Sequence, residues 1–326
     1  MTTPDNLRRP DREVDVAIVG GGPAGLSAAT ALGRSLRSVL VIDDDAPRNA
    51  RASGAHNVLG HEGVPPDVLR SAGRREAESY GVQFARGRVE SSGRGETPEG
   101  ATHFDLTLDD GRHVRSRRLL LATGLVDELP AVPGVDEAWA DGVLHCPYCH
   151  GWEVRGKRIG VLASGPMSVH QALLFRQLSD RVVFLSHEAE PPSSEDAETF
   201  AALGIRVVDG PVERVVTDGT AVRAVELARG DRIELDALAV APRFSARTAL
   251  YEELGGVVAD HPMGVFIPVG DMCRTPVDGV WAAGNCGDLS AMIAVAAGQG
   301  VMAGAAINAD LVQEEAVAAR RLAVQA

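Results

Sequence analysis

The stretch VDVAIVGGGPAG, residues 14–25, constrains this chain more than any other. A short apolar run stops at a glycine cluster, and LSAATALGRSL follows at once. The run reads as a buried strand, and the spacing of apolar residues after it reads as a helix. SVLVIDDD, residues 38–45, is a second apolar run ending in acids. Strand, glycine turn, helix, strand is one βαβ unit, so an α/β fold with a parallel sheet is expected. Gly20, Gly22 and Gly25 occupy the G-x-G-x-x-G positions. Gly20 permits the tight turn, Gly22 lets the backbone approach a pyrophosphate, and Gly25 lets the helix pack on the strand. The helix N-terminus then offers free N–H groups to the phosphates. Asp43 lies 18 residues beyond Gly25, where an acid accepts the hydroxyls of an adenosine ribose. A dinucleotide is therefore expected.

Residues 82–121 read as β-rich, with a turn at DDG, 109–111, leading into the strand RRLLLATG, 117–124. LPAVPGV, 129–135, marks a boundary. A second, weaker βαβ unit follows: KRIGVLASG (157–165), SVHQALLFRQL (168–178) and RVVFLS (181–186). EAEPPSSEDAE, 188–198, reads as an acidic surface segment, and further strands are expected around 205–208 and 233–241. GVWAAGNCGD, 279–288, and an Ala/Gly-rich helix close the chain. The 326 residues suffice for two domains, with a second boundary expected near 242–250.

The net charge of −13 argues against nucleic acid or an anionic membrane surface as partner. The stretch from Ala291 to Ile307, broken by Gln299, reads as a buried helix and not as a membrane span. The opening residues carry no apolar signal core, so a cytoplasmic chain with reduced thiols is expected. Against that background HCPYCHG, 145–151, stands out. Zinc needs four ligands, usually two such pairs, and there is one CxxC, so no metal is expected. CPYC is also the glutaredoxin tetrapeptide, but here it sits mid-chain behind a dinucleotide fold. A redox pair is the better reading. If a helix begins here, Cys146 and Cys149 share a face and Pro147 suits its first turn. His150 can give or take a proton near neutral pH. His145 either does the same from the other side or only packs. Cys273 and Cys286 read as buried small hydrophobes.

Together VAIVGGGPAGLSAA, LLLATG (119–124), GVWAAGN (279–285) and the mid-chain CxxC resemble the low-molecular-weight thioredoxin reductase family, over residues 13–310. The resemblance implies two Rossmann-like domains of three-layer ββα type. The FAD domain would be discontinuous, its parts 1–124 and 244–326 interrupted by a central pyridine-nucleotide-like domain, 125–243, that carries CxxC. It also implies that FAD touches Pro23, Ala24, Arg48, Asn57, Thr123, Gly124, Gly284 and Ile293, with Val89 beside the adenine. Asn285 stands where the family has an acid; an amide still hydrogen-bonds a hydroxyl, without charge. A homodimer is implied as well.

Three features depart from an NADPH-using reductase. Ala163, Gly165 and Ser168 occupy the second glycine pattern, and Pro166 removes an N–H. His187, Glu188, Ala189 and Glu190 follow the strand where arginines would meet a 2′-phosphate. His150 follows the second cysteine, where thioredoxin reductases carry an acid. The chain resembles more narrowly the FAD-dependent dithiol oxidases that close the disulfides of gliotoxin, holomycin and romidepsin. That likeness implies a small-molecule dithiol from natural-product biosynthesis as substrate, with O2 as acceptor giving H2O2. Cys146 would exchange with the dithiol, Cys149 would face the flavin, and His150 would manage protons, with or without His145. The competing readings are an NAD(P)H-dependent disulfide reductase acting on a thioredoxin-like protein, with Glu188 holding an NADH ribose, and a flavin-bound redox sensor.

Overall fold

A computed structural model describes residues 11–98, 100–165 and 167–325. The expectation placed on Pro166 lies outside the described residues. The first strand, Arg12–Val19, is central to a sheet ordered Gln83–Arg86, Val39–Asp43, Arg12–Val19, His113–Leu121, Thr102–Leu108, Val89–Glu96. The first four of these strands run parallel, and the last two fold back as antiparallel partners. Side chains in the second half of the first strand alternate between two cores. Ala17 and Val19 face one, while Val16 and Ile18 face the helices. Apolar residues on both faces are what a parallel sheet covered on both sides requires.

The glycine-turn helix, Pro23–Arg34, begins with Pro23 and buries Ala24, Ala28, Ala29 and Leu32. The strand Val280–Ala282 returns from far along the chain to pair, parallel, with Leu119–Leu121. It delivers the closing helix, Ile293–Gln325, onto the glycine-turn helix. Close approach depends on two glycines there. A Cβ on Gly300 would overlap the Ala24 carbonyl, and one on Gly304 would press on the Ala28 carbonyl. By length and composition this helix could cross a membrane, with an 18-residue window of mean hydropathy 1.2. Its small-residue face is instead taken by packing inside the fold. The helix runs well past Ile307, where the sequence reading stopped.

The central part has its own five-stranded parallel sheet, ordered Arg206–Val208, Val182–Leu185, Ile159–Leu162, Ala237–Val240, Val143–Leu144. Helices cover one face, and a three-stranded antiparallel sheet (Val212–Asp218, Ala221–Leu227, Arg232–Glu234) covers the other. This is the expected three-layer arrangement. The run 233–241 divides into two strands at Leu235 and Asp236. The acidic segment is not all surface loop: Ser193 accepts from the Asp196 N–H and caps a helix, Ser194–Leu203. The chain passes between the two parts at neighbouring strands, Leu125–Glu128 and Arg243–Ala246, which pair antiparallel from Leu125↔Ala246 to Glu128↔Arg243.

Candidate active site

Gly20, Gly22, Pro23, Ala24, Asp43, Arg48, Val89, Thr123, Gly124, Gly284, Asn285 and Ile293 line one cavity of about 880 Å3. His145, Cys146, Cys149 and His150 line it too. Gly25 and Asn57 do not. Gly25 serves packing, since a Cβ there would overlap the Gly20 carbonyl. Gly20 has φ +109°, and a Cβ on it would overlap the Ala122 carbonyl of the next strand. Gly22 faces open space, with nothing within 4 Å of a Cβ position. Gly21 was not singled out in the sequence, but its N–H donates to Asp43 Oδ1 (3.1 Å) and a Cβ there would strike the same carboxylate. The result is a bare backbone cradle at a helix N-terminus, continuous with a cavity of ligand size. These residues fit the pyrophosphate and adenosine of FAD.

Several polar side chains expected at the flavin are engaged within the protein. Asn57 donates to the Tyr148 carbonyl (2.8 Å), inside the CxxC segment, so the structure does not bring it to the cavity wall. Asn285 donates to the Asp288 and Ala291 carbonyls and accepts from Arg48. Its donors are thus spent, and only its oxygen can meet a hydroxyl. Arg48 pairs with both oxygens of Asp127 (2.8 and 2.6 Å) and lies over the Phe244 ring. Thr123 donates its hydroxyl to the Arg247 carbonyl.

Cys146 and Cys149 form a disulfide with Cα atoms 5.2 Å apart. Cys146 caps the short helix Pro147–His150, its Sγ accepting from the Cys149 N–H (3.2 Å). The resulting one-turn helix, started by Pro147, is what the spacing anticipated. His145 is pinned: Nδ1 lies 3.1 Å from the Val240 carbonyl, its ring meets Phe244 edge-on, and its own carbonyl accepts from Gln171. If Nδ1 carries the proton, Nε2 is left as the free nitrogen. His150 Nε2 is buried without a hydrogen-bond partner. Burial holds both imidazoles below the usual histidine range; for His150, nearby Glu153 works against that and His56 with it. Both therefore favour the neutral form, which can accept a proton. Cys273 and Cys286 are buried and unbridged, and burial pushes both thiols up. They are poor nucleophiles.

The second turn behaves differently from the first. The Ser168 hydroxyl accepts from the N–H groups of both Ser164 (3.1 Å) and Gly165 (3.2 Å). Ser168 is itself buried. The donors that a dinucleotide turn presents to phosphate are here satisfied from within. Nearby, His187 Nδ1 accepts from the Val212 N–H, tying down the end of the neighbouring strand.

The profile of pyridine nucleotide-disulphide oxidoreductases matches residues 14–300. The chain belongs to that family. This oxidoreductase is 32% identical to thioredoxin reductase tcpT of Claviceps purpurea (strain 20.1), over 92% of this chain and 95% of that protein. The crystal structure of HlmI superposes with a TM-score of 0.91 at 38% identity, covering 96% of this chain and 97% of that one. An oxidoreductase from Agrobacterium tumefaciens gives 0.86 at 34% identity, covering 92% and 99%. The oxidoreductase is thus a thioredoxin reductase-like flavoprotein that binds FAD and works on disulfides.

Sequence reading missed three groups at this oxidoreductase's site. Gln171 bridges His145 and Val240 from a buried position. Tyr148, between the two cysteines, lines the cavity and is 64% exposed. His56 lines the cavity one residue before Asn57. Only His56 had a usable signal, its place beside a residue already under suspicion.

Proposed function

We propose that this flavoprotein is a dithiol oxidase that closes a disulfide in a small-molecule dithiol with O2 as acceptor. The balanced reaction is R(SH)2 + O2 → R(S–S) + H2O2. Ser168 carries the reading. With its hydroxyl taking the N–H groups of Ser164 and Gly165, the described residues of that turn leave those two donors unavailable to the pyrophosphate of a reducing nucleotide. Glu188 and Glu190 are exposed beyond the next strand and would repel a 2′-phosphate. The disulfide, by contrast, lines the same cavity as the first cradle.

The substrate's first thiolate attacks Cys146, and the Cys146–Cys149 bond breaks. The second thiolate attacks the mixed disulfide at the substrate's sulfur and releases Cys146. His150, next to Cys149 in the chain and held neutral by burial, can take up the proton of the second substrate thiol. The cradle at Gly20–Ala24 would hold FAD, which would supply the two-electron acceptor for the cysteine pair and the route to oxygen. Trp139, Tyr148, Met167, Leu174 and Met292 give the cavity an apolar, partly aromatic wall, which suits an uncharged small molecule better than an acidic peptide. On the family likeness we propose a homodimer.

The test is oxygen uptake with dithiothreitol in the absence of pyridine nucleotide, alongside anaerobic NADH and NADPH titrations of the flavin spectrum. Uptake with peroxide release and no nucleotide bleaching is expected, and Cys149→Ser should stop turnover while the protein stays yellow. Rapid bleaching by either nucleotide would replace this reading with a disulfide reductase.

A further inference from the structure

The loop 53–64 folds onto the CxxC segment from outside, and it brings a histidine with it. Ala55 bridges to Val64 to close the loop. Its Asn57 donates to the carbonyl of Tyr148, which lies between the two cysteines. His56 Nδ1 is 2.7 Å from Glu62 Oε1, and Glu62 Oε2 also accepts from the Asn57 N–H (2.9 Å). Its Nε2 is 3.7 Å from Glu153 Oε1, three residues past His150. The imidazole is therefore bracketed over the disulfide-bearing turn, by Asn57 on Tyr148 at one end and by Glu153 at the other. It lines the same cavity as Cys146, Cys149 and His150. Its side chain is 23% exposed, whereas the Glu62 side chain is 68% exposed.

We propose that His56, oriented by Glu62, is the general base for the incoming substrate thiol. The inference rests on the thiol–disulfide exchange described above. A carboxylate on Nδ1 fixes the tautomer and leaves Nε2 to accept a proton, the arrangement that activates nucleophiles elsewhere. The thiol S–H gives its proton to His56 Nε2. The resulting thiolate forms the S–S bond to Cys146 as the Cys146–Cys149 bond breaks, and Cys149 leaves with the electron pair. The proton departs through His56 towards solvent, where Glu62 is exposed. No oxidant beyond the protein's own disulfide is needed for this step. The charged and titratable groups facing His56 are Glu62 from its own loop, and Glu153 and His150 from the CxxC segment.

The experiment is anaerobic stopped-flow bleaching of the FAD-loaded enzyme by dithiothreitol across a pH series, for wild type, His56→Gln and Glu62→Gln. Visible flavin absorbance and circular dichroism serve as the check on folding. His56→Gln is expected to slow bleaching about 100-fold and to remove the acidic limb of the rate profile. Glu62→Gln should slow it less, because the imidazole keeps its place in the cavity but loses the carboxylate that orients it. Wild-type rates and profiles in both folded variants would overturn the proposal. If His56→Gln fails to load flavin, Glu62→Gln decides by its bleaching rate, a wild-type rate overturning the proposal. If dithiothreitol does not bleach even the wild type, the oxidase reading has failed. The variants are then compared in nucleotide-driven disulfide reduction, where His56 would protonate the leaving thiolate. An unchanged profile there would overturn the proposal.

Discussion

His145 and His150 flank the disulfide in sequence, and burial favours the neutral form of each. The sign of the effect on stability follows. Their folded-state pKa values lie below the unfolded 6.5, so the contribution is complete above that pH. As pH falls through 6.5, the unfolded chain gains protons that the folded chain refuses, and stability declines until the folded-state values are reached. The melting temperature should therefore fall between about pH 7.5 and pH 5.5, and a His145→Gln/His150→Gln variant should fall less. Equal slopes in a thermal-melt series would contradict this. At this scale the sequence was readable wherever a residue type carries a backbone demand. Gly20 and Pro147 are of that kind, one for a left-handed turn and one for a helix start. Side-chain partnerships were not readable. The partners of Asn57 and Arg48 lie 91 and 79 residues away, and no local pattern announces them.

Elements were legible where periodicity was strong and short on interruption. Both βαβ units formed as their apolar runs required. The helix Ser194–Leu203 is masked in the sequence by its acids, which read as a solvated segment, although Ser193 and Asp196 have capping spacing. The closing helix was cut short for a related reason. Its later turns are charged, and their partners come from the first sheet. Arg118 reaches Asp310 and Glu314 (both 2.6 Å), while Arg117 reaches Glu314 and Glu315. The apolar half of the same helix depends on close approach. Gly300→Ala would push against the Ala24 carbonyl, in the first turn of the flavin-cradling helix. We expect a loss of about 1–3 kcal/mol, typical of overpacking, with lower flavin occupancy after purification. Denaturant melts and the ratio of flavin to protein absorbance measure both. An unchanged ratio and midpoint would mean that the helices can part without cost.

For the whole molecule, motif order conveyed the fold class, but not how the parts meet. The cavity depends on that meeting, since the cradle and the disulfide belong to different sheets and only their packing makes one chamber. The crossing itself has a further consequence. The chain leaves by Leu125–Glu128 and comes back by Arg243–Ala246, and Glu128 faces Arg243 across the final pair. In genetic terms, everything from 129 to 242 is an insertion at the tip of a β-hairpin. Such an insertion can be excised without re-routing the remainder. A chain in which Asn-Gly replaces that stretch, closing the hairpin with a two-residue turn, should still fold and still turn yellow with FAD. It would have lost its disulfide, and with it every trace of turnover. A colourless, unfolded product would mean that the insertion has become part of its host.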